Sequence, residues 1–359
     1  MSLFYKLKAD NVTPMTRTPW AGDLIRDIKI RSLPKSLYDF SSPIGESWEV
    51  SSDKSFESVV IESSLGDYKN IPLNSLIERE GQKLLGKRLC RAFGDKHYPL
   101  LLKWLHASSP LSVQVHPNDD FSLLGENECG KPESWLVVDA KTDSYIYIGF
   151  KTSVTRHDVE KALADKMIET LLYKYHPKPF DYIIVPEGCV HSIGSDVFVM
   201  EPQKLLEGKS GKTYRFYDWE RTYNDEGKRD PNGKPRPLHL KESLEAIDWS
   251  LPFGEGIKEK YIFNLKDKKK FSRLDLSPFG VEIFSGKGTY SLKLPKEQAC
   301  AFSLVYGKMQ LEAKNKERMT ALSGESLLIS ATQDTEVNLF LDSQNGETPF
   351  SALFYLNLG

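Results

Sequence analysis

The side chains in this sequence that are best suited to chemistry are four potential metal ligands, Gln114, His116, Glu133 and His191. Two imidazoles, a carboxylate and an amide oxygen are donors that a divalent metal ion takes in proteins. A single histidine in a strand is more often a packed or solvent-facing residue. The prediction of a metal site therefore depends on where the four residues stand in the chain.

Residues 110–117, PLSVQVHP, alternate between apolar and polar side chains. In an extended chain, this period of two places Ser112, Gln114 and His116 on one face of a strand. Pro117 has no backbone donor and ends the strand. A hydroxyl, an amide and an imidazole in line favour the wall of a polar pocket over a solvent-facing surface.

Glu133 and His191 stand at comparable places in two later parts of the chain. Glu133 begins an apolar strand, and His191 follows a tight turn at residues 186–188, where another strand ends. A small β-barrel with a metal in its mouth requires polar residues in this arrangement, so we predict one metal site. Two histidines and one carboxylate also suit non-haem iron, which leaves an iron oxygenase as an alternative.

Composition excludes several other classes of protein. The 359 residues carry a formal net charge of -2, whereas a general polyanion binder needs a basic excess, so we expect no nucleic-acid partner. No run approaches the ~20 apolar residues of a membrane span, and the first residues do not resemble a signal peptide. The four cysteines are scattered without a CxxC pair, which favours a reducing, cytoplasmic location.

The arrangement of the potential ligands resembles the cupin pattern, and longer segments narrow the resemblance. Together they resemble, in the same order, the signatures of type I mannose-6-phosphate isomerases. The segments are WAG at 20–22, IGESWEVS at 44–51, PLSVQVHPND at 110–119, GKPESW at 130–135, VPEGCVHSIG at 185–194, TYRFYDW at 213–219 and GKPRPLHLKESLEAID at 233–248. The resemblance covers roughly residues 15–250 and is thin beyond them.

This resemblance implies a mainly β fold. We expect residues 1–250 to form a catalytic, metal-binding domain, a cupin-like (jelly-roll) antiparallel barrel with helical insertions. Residues 251–359 would form a smaller C-terminal β domain that resembles a degenerate second cupin. All seven histidines lie at or before His239, so we expect no second metal site of this kind in the C-terminal domain.

The resemblance also implies an activity. The chain would be a zinc-dependent aldose–ketose isomerase that interconverts D-mannose 6-phosphate and D-fructose 6-phosphate through a cis-enediolate, as a monomer or small homo-oligomer. One zinc ion per chain would be bound by the four residues named first. Arg215 and Lys131 match catalytic positions, and the residues that match the substrate pocket are Trp20, Ser112 and Lys131.

The sequence assigns a role to Arg215 but does not identify the group that transfers the proton. An arginine is not readily deprotonated, so Arg215 is assigned to stabilise the negative charge of the enediolate or phosphate. Four candidates stay open for the proton transfer between C1 and C2. They are zinc-bound water, Glu133, Lys131 and His191.

One segment departs from the family pattern. The family usually has an aspartate four residues before the arginine of its Thr-Tyr-Arg motif, whereas this chain has Gly211 there, in a longer segment with three lysines. Either Glu207 replaces the aspartate from a reshaped loop, or the pocket has lost a polar contact to the sugar. A non-catalytic or altered-specificity sugar-phosphate binding cupin is therefore the alternative function.

Overall fold

The computed structural model describes residues 1–36, 38–333 and 335–358. Its strands are β1 Phe4–Leu7, β2 Glu46–Val50, β3 Val59–Ser63, β4 Ile71–Pro72, β5 Leu100–Ala107, β6 Val113–Val115, β7 Glu128–Cys129, β8 Glu133–Ala140, β9 Ile146–Phe150, β10 Leu172–Tyr175, β11 Asp181–Val185, β12 His191–Ile193, β13 Val197–Lys204, β14 Ser210–Gly211, β15 Tyr214–Tyr217, β16 Thr222–Tyr223, β17 Lys234–Pro235, β18 Ile262–Asn264, β19 Lys270–Ser272, β20 Phe279–Ser285, β21 Gly288–Lys293, β22 Cys300–Tyr306, β23 Lys308–Ala313, β24 Arg318–Leu322, β25 Glu325–Ile329, β26 Glu336–Asp342 and β27 Phe350–Leu356. Its helices are α1 Leu24–Ser32, α2 Leu73–Glu80, α3 Gln82–Leu85, α4 Lys87–Phe93, α5 Arg156–Ala164, α6 Leu240–Ala246 and α7 Glu255–Tyr261, with a 3₁₀ turn at Ile168–Thr170.

Two antiparallel sheets form the half of the molecule that contains the predicted metal ligands. One has the strand order β18-β11-β8-β13-β5-β2 and the other β10-β9-β12-β6-β15. Glu133 on β8 lies against His191 on β12, so the sheets face each other across this point. The predicted mainly β, cupin-like antiparallel architecture is confirmed.

A second sandwich contains most of the C-terminal strands. An eight-stranded sheet and the four-stranded sheet β21-β26-β23-β24 contribute to a separate apolar core, which includes Phe302, Leu311 and Leu339. Strand β1 pairs with β25 on one side and β3 on the other, so N-terminal residues belong to this eight-stranded sheet. The domain boundary near residue 250 stays a prediction.

The helices are short insertions between strands. Gly81 and Gly86, with φ of 47° and 89°, separate α2, α3 and α4. A Cβ at Gly86 would lie 2.2 Å from the carbonyl oxygen of Glu297, so this close backbone approach requires glycine. None of the helices in the described ranges has the length and hydropathy needed to cross a bilayer.

A buried ion pair connects the two halves of the molecule. Lys29 on α1 contacts Glu49 on β2 at 2.9 Å and donates to the carbonyl of Gly324 at 3.0 Å. Ser47 and Ser326 each donate to Glu49 at 2.6 Å. Because both charges are removed from water, each depends on the other and on these hydrogen bonds for compensation.

We predict that Lys29→Met lowers the free energy of unfolding by ~3–5 kcal/mol, because Glu49 is left as an uncompensated buried charge. The double variant Lys29→Met/Glu49→Gln should recover much of this loss. Urea unfolding at pH 7 measures both effects. A cost below about 1 kcal/mol for the single variant would contradict the assignment, since that is the range of an exposed pair.

Candidate metal centre and adjoining pocket

Three buried side chains converge at the point where the two N-terminal sheets face each other. His116 directly follows β6, Glu133 begins β8 and His191 begins β12. The Nε2 atoms of the two imidazoles are 3.1 Å apart. They lie 3.3 Å and 3.4 Å from the two carboxylate oxygens of Glu133. Among the described residues, this is the group of His, Cys, Asp and Glu whose ligand atoms come close enough to share a metal ion.

Backbone carbonyls fix the tautomer of both imidazoles. Nδ1 of His116 lies 3.1 Å from the carbonyl oxygen of Lys212, and Nδ1 of His191 lies 2.9 Å from that of Cys189. A carbonyl oxygen only accepts, so each Nδ1 carries the proton and each Nε2 presents a lone pair to the other ring. This is the orientation in which histidines are held as metal ligands.

The three side chains can be satisfied by a metal ion between them, but not by one another. Two lone pairs that face each other repel, and Oε1 of Glu133 is buried without a hydrogen-bond partner in the described chain. A tetrahedral ion with ligand distances of ~2.0–2.1 Å separates its donors by about 3.3 Å, close to the three observed separations. A divalent cation would therefore satisfy all three side chains at once.

Electrostatics keep the donors in their metal-binding forms. Burial lowers the pKa of His116 to about 3, and burial also lowers the pKa of His191. Burial alone would raise the pKa of Glu133, but the ammonium of Lys131, 3.4 Å away, holds that pKa well below its usual value. One anionic and two neutral donors leave a divalent ion with a net positive charge.

Gln114 lies next to these donors in the sheet. In the antiparallel ladders, it is directly opposite His191 on one side and Arg215 on the other. Residues directly opposite each other project to the same face. Gln114 therefore shares a face with both, and its role as a fourth ligand stays a prediction.

A cavity of about 340 Å³ adjoins the metal group. It is lined by Gln114, by Lys131 and by Gln203, which donates to Glu133 at 3.0 Å. Trp20 and Ser112 also line it, and their contact with a substrate stays a prediction.

Arg215 lines the same cavity and is held in place by neutral oxygens. Its Nε donates to the hydroxyl of Ser112 at 3.0 Å, and its Nη1 donates to the carbonyl of Pro237 at 3.1 Å. Burial, with help from Arg236, lowers the pKa of Arg215 to about 10, so the guanidinium is still charged at neutral pH. Ser112 thus orients Arg215.

Sequence reasoning did not single out Glu201 and Gln203 on β13. Gln203 donates to Glu201 at 2.5 Å as well as to Glu133, and Trp135 donates to the other oxygen of Glu201 at 2.9 Å. Burial, followed by the charge of Glu133, raises the pKa of Glu201 to about 8. The signal was present, because two polar residues two positions apart in an apolar strand repeat the pattern of residues 112–116.

Comparisons with known proteins agree with this geometry. The family model for the catalytic domain of type I phosphomannose isomerase matches residues 15–131. Mannose-6-phosphate isomerase ManA of Bacillus subtilis (strain 168) is 34% identical over 279 residues, which cover 77% of this chain and 79% of that protein. The chain belongs to the type I mannose-6-phosphate isomerase family.

Solved structures of this family share the fold. The crystal structure of mannose 6-phosphate isomerase from Bacillus subtilis has a TM-score of 0.73 at 23% identity, with 99% of this chain and 100% of that chain covered. A structure described as mannose 6-phosphate isomerase, holo and zinc bound, has a TM-score of 0.68 at 14% identity, with the same coverage.

The position at which the family pattern is broken has a steric explanation. A Cβ at Gly211 would lie 2.8 Å from Cγ of Lys131 and 2.8 Å from Cδ2 of Leu205, so these two side chains occupy the space of the missing one. Glu207 does not replace the aspartate in the cavity. It lines an adjacent groove together with His97 and Asp95.

We predict that His116→Ala weakens metal binding by more than about 100-fold, since changes to residues behind the ligands already cost 10–100-fold. The ratio of metal to protein after dialysis, and competition with a chelator, measure the loss. The exposed His157→Ala on α5 is the matched control and should keep full metal content. Unchanged metal affinity in His116→Ala would remove this residue from the site.

Proposed function

We propose that this chain is a zinc-dependent isomerase that interconverts D-mannose 6-phosphate and D-fructose 6-phosphate. The observation that carries the proposal is the buried convergence of His116, Glu133 and His191 beside a cation-lined cavity. Family membership and the zinc named for a structural relative support it. The amide of Gln114 would complete the ligand set.

The lining of the cavity suits an anionic sugar. The cationic side chains along it are Arg17, Lys103, Lys131, Arg215 and Arg236. Glu201 and Gln203 add hydrogen-bonding groups that can pair with sugar hydroxyls. An open-chain hexose phosphate offers a phosphate, several hydroxyls and a carbonyl, which matches a cavity of mixed polar groups and net positive charge.

Isomerisation moves a proton from C2 of the aldose to C1 through a cis-enediolate, so negative charge develops on two neighbouring oxygens. Bound zinc would act as a Lewis acid that stabilises this charge. Arg215 faces the cavity from the strand next to Gln114 and would stabilise the same charge or the phosphate. We assign no proton transfer to it.

Lys131 would act on the substrate oxygen beside the metal ligands. Its ammonium lies 3.4 Å from Oε2 of Glu133, and its side chain lines the cavity. It can therefore donate a hydrogen bond to a substrate oxygen close to that carboxylate. Both imidazoles present their Nε2 lone pairs to the metal position, and both pKa values are lowered by burial, which disfavours them as proton carriers.

The direct test is the formation of fructose 6-phosphate from mannose 6-phosphate by zinc-loaded protein, with the chelated protein as control. We expect turnover that is lost with the metal and restored by added zinc. Protein that holds one zinc ion per chain and binds mannose 6-phosphate without turnover would favour the sugar-phosphate binding alternative. Dominant iron after purification without added metal, with oxygen consumption, would favour the oxygenase.

We predict that Arg215→Gln retains zinc and lowers kcat by about 10²–10³-fold, the usual cost of removing a donor that stabilises transition-state charge. Kinetics with mannose 6-phosphate, together with zinc analysis, test this. Arg156→Gln on α5, where the arginine pairs with Glu160 and Glu245 at the surface, is the control. Near-full activity of Arg215→Gln would show that this arginine is not catalytic.

We predict that Gly211→Ala lowers kcat/KM by about 10- to 100-fold. The new methyl would lie 2.8 Å from both Cγ of Lys131 and Cδ2 of Leu205, so the stem of Lys131 has to shift, and a displacement of about 1 Å in a substrate-positioning group is costly. Gly256→Ala is the control, since its Cβ would meet only Cβ of Pro252 at 3.4 Å. Kinetics of both variants, with their thermal unfolding, separate activity from stability. An unchanged kcat/KM in Gly211→Ala would mean that the position of Lys131 does not limit the reaction.

A further inference from the structure

One cation of the substrate cavity, the exposed Arg17, differs from the others in having no protein partner for its guanidinium among the described residues. Lys103 lies 3.7 Å from Glu46, and Lys131 lies 3.4 Å from Glu133. Arg215 donates to the hydroxyl of Ser112 and to the carbonyl of Pro237. Arg236 donates to both carboxylate oxygens of Asp218, at 2.7 Å and 2.6 Å. The guanidinium of Arg17 makes no ion pair or side-chain hydrogen bond within residues 1–36, 38–333 and 335–358.

Two aromatic rings nevertheless hold this guanidinium at the cavity. Cζ of Arg17 lies 5.3 Å from the ring centroid of Trp48 and 4.9 Å from that of Phe56. The two rings are themselves in contact, with centroids 4.9 Å apart. An aromatic ring that stacks on a guanidinium covers one of its faces. The N–H groups point outward in the plane of the guanidinium and stay available to a ligand.

The backbone of Arg17 is fixed as well. Its N–H donates to the carbonyl of Pro14 at 2.9 Å, and the next N–H, of Thr18, donates to the same oxygen at 3.2 Å. The hydroxyls of Thr13 and Thr18 are 3.3 Å apart beneath this turn. The arginine is therefore oriented in advance, so that a ligand would not have to order the loop.

The charge of Arg17 reaches the interior of the cavity. Burial alone would raise the pKa of Glu46, but Lys103 and then Arg17 hold that pKa below its usual value. Lys103 also lies over the Trp48 ring, 4.3 Å from its centroid. Two cations thus share one aromatic platform, and Glu46 compensates Lys103, the one it contacts.

From this arrangement, we infer that Arg17 binds the phosphate group of the hexose phosphate, with Trp48 and Phe56 as its platform. The inference rests on the proposed function for the identity of the sugar. A guanidinium fork matches phosphate oxygens in a bidentate manner, and a cation without a prior partner has no ion pair to break on binding. Arg17 would then select phosphorylated sugars over free ones.

The experiment compares zinc-loaded wild-type protein with Arg17→Gln. We expect KM for mannose 6-phosphate to rise by about 10- to 100-fold, the loss typical of a charged hydrogen bond, with kcat changed less than about twofold. The inhibition constant of inorganic phosphate should rise by a similar factor, and zinc content should not change. Arg17→Lys, which keeps the charge but loses the fork, should lie between the two.

A second variant tests the aromatic platform formed by Trp48 and Phe56. Phe56→Leu keeps an apolar side chain and removes the ring, so KM should rise by a smaller factor while kcat is retained. Arg156→Gln is the control for the loss of a surface arginine and should leave KM unchanged. An unchanged KM in Arg17→Gln, with a raised KM in Arg236→Gln, would place the phosphate at Arg236 and overturn the inference.

A binding measurement keeps the inference separate from the proposed function. Calorimetric titration with mannose 6-phosphate and with mannose requires no turnover. If wild-type protein lacks isomerase activity but Arg17→Gln loses its preference for the phosphorylated sugar, the proposed function fails and the inference stands. If Arg17→Gln retains that preference, the inference fails whatever the activity.

Discussion

Two imidazole lone pairs and a carboxylate face one another, within 3.4 Å, in the interior of the N-terminal half. Without a cation, this is an unfavourable contact in a place from which water is largely excluded. The surrounding structure must therefore hold the three side chains against their mutual repulsion. Each of these three side chains begins or directly follows a strand, where paired backbone restrains it.

The three potential ligands are held through backbone and amide groups more than through further charges. Carbonyls of Lys212 and Cys189 fix the two imidazoles, and the amide of Gln203 fixes the carboxylate. Such groups orient a donor without competing for the metal. Lys131 is the exception, because its charge acts on Glu133 directly, and its stem lies over Gly211 where any side chain would intrude.

Local sequence patterns identified the part of the site that lies on a strand with alternating polar and apolar side chains. The period of two in residues 112–116 identified one wall, and the order of later strands indicated Glu133 and His191 as partners. Their convergence could not be derived from spacing alone, since it depends on which strands face each other. The same limit applies to Lys29 and Glu49, whose pairing is buried between a helix, a strand and a distant turn.

Arg17 was missed for a different reason, since a loop carries no periodicity that could place its side chain. Its position follows from contacts with Trp48 on β2 and with Phe56, which no local pattern links to residue 17. The cations of the cavity fall into two groups, those that pair with a carboxylate of the protein and those that do not. Those already paired with Glu133, Glu46 or Asp218 are part of the fold's own charge compensation. Arg215 is held by neutral oxygens, and Arg17 pairs with no side chain in the described part of the chain. A substrate dianion that binds Arg17 therefore replaces water rather than an existing ion pair.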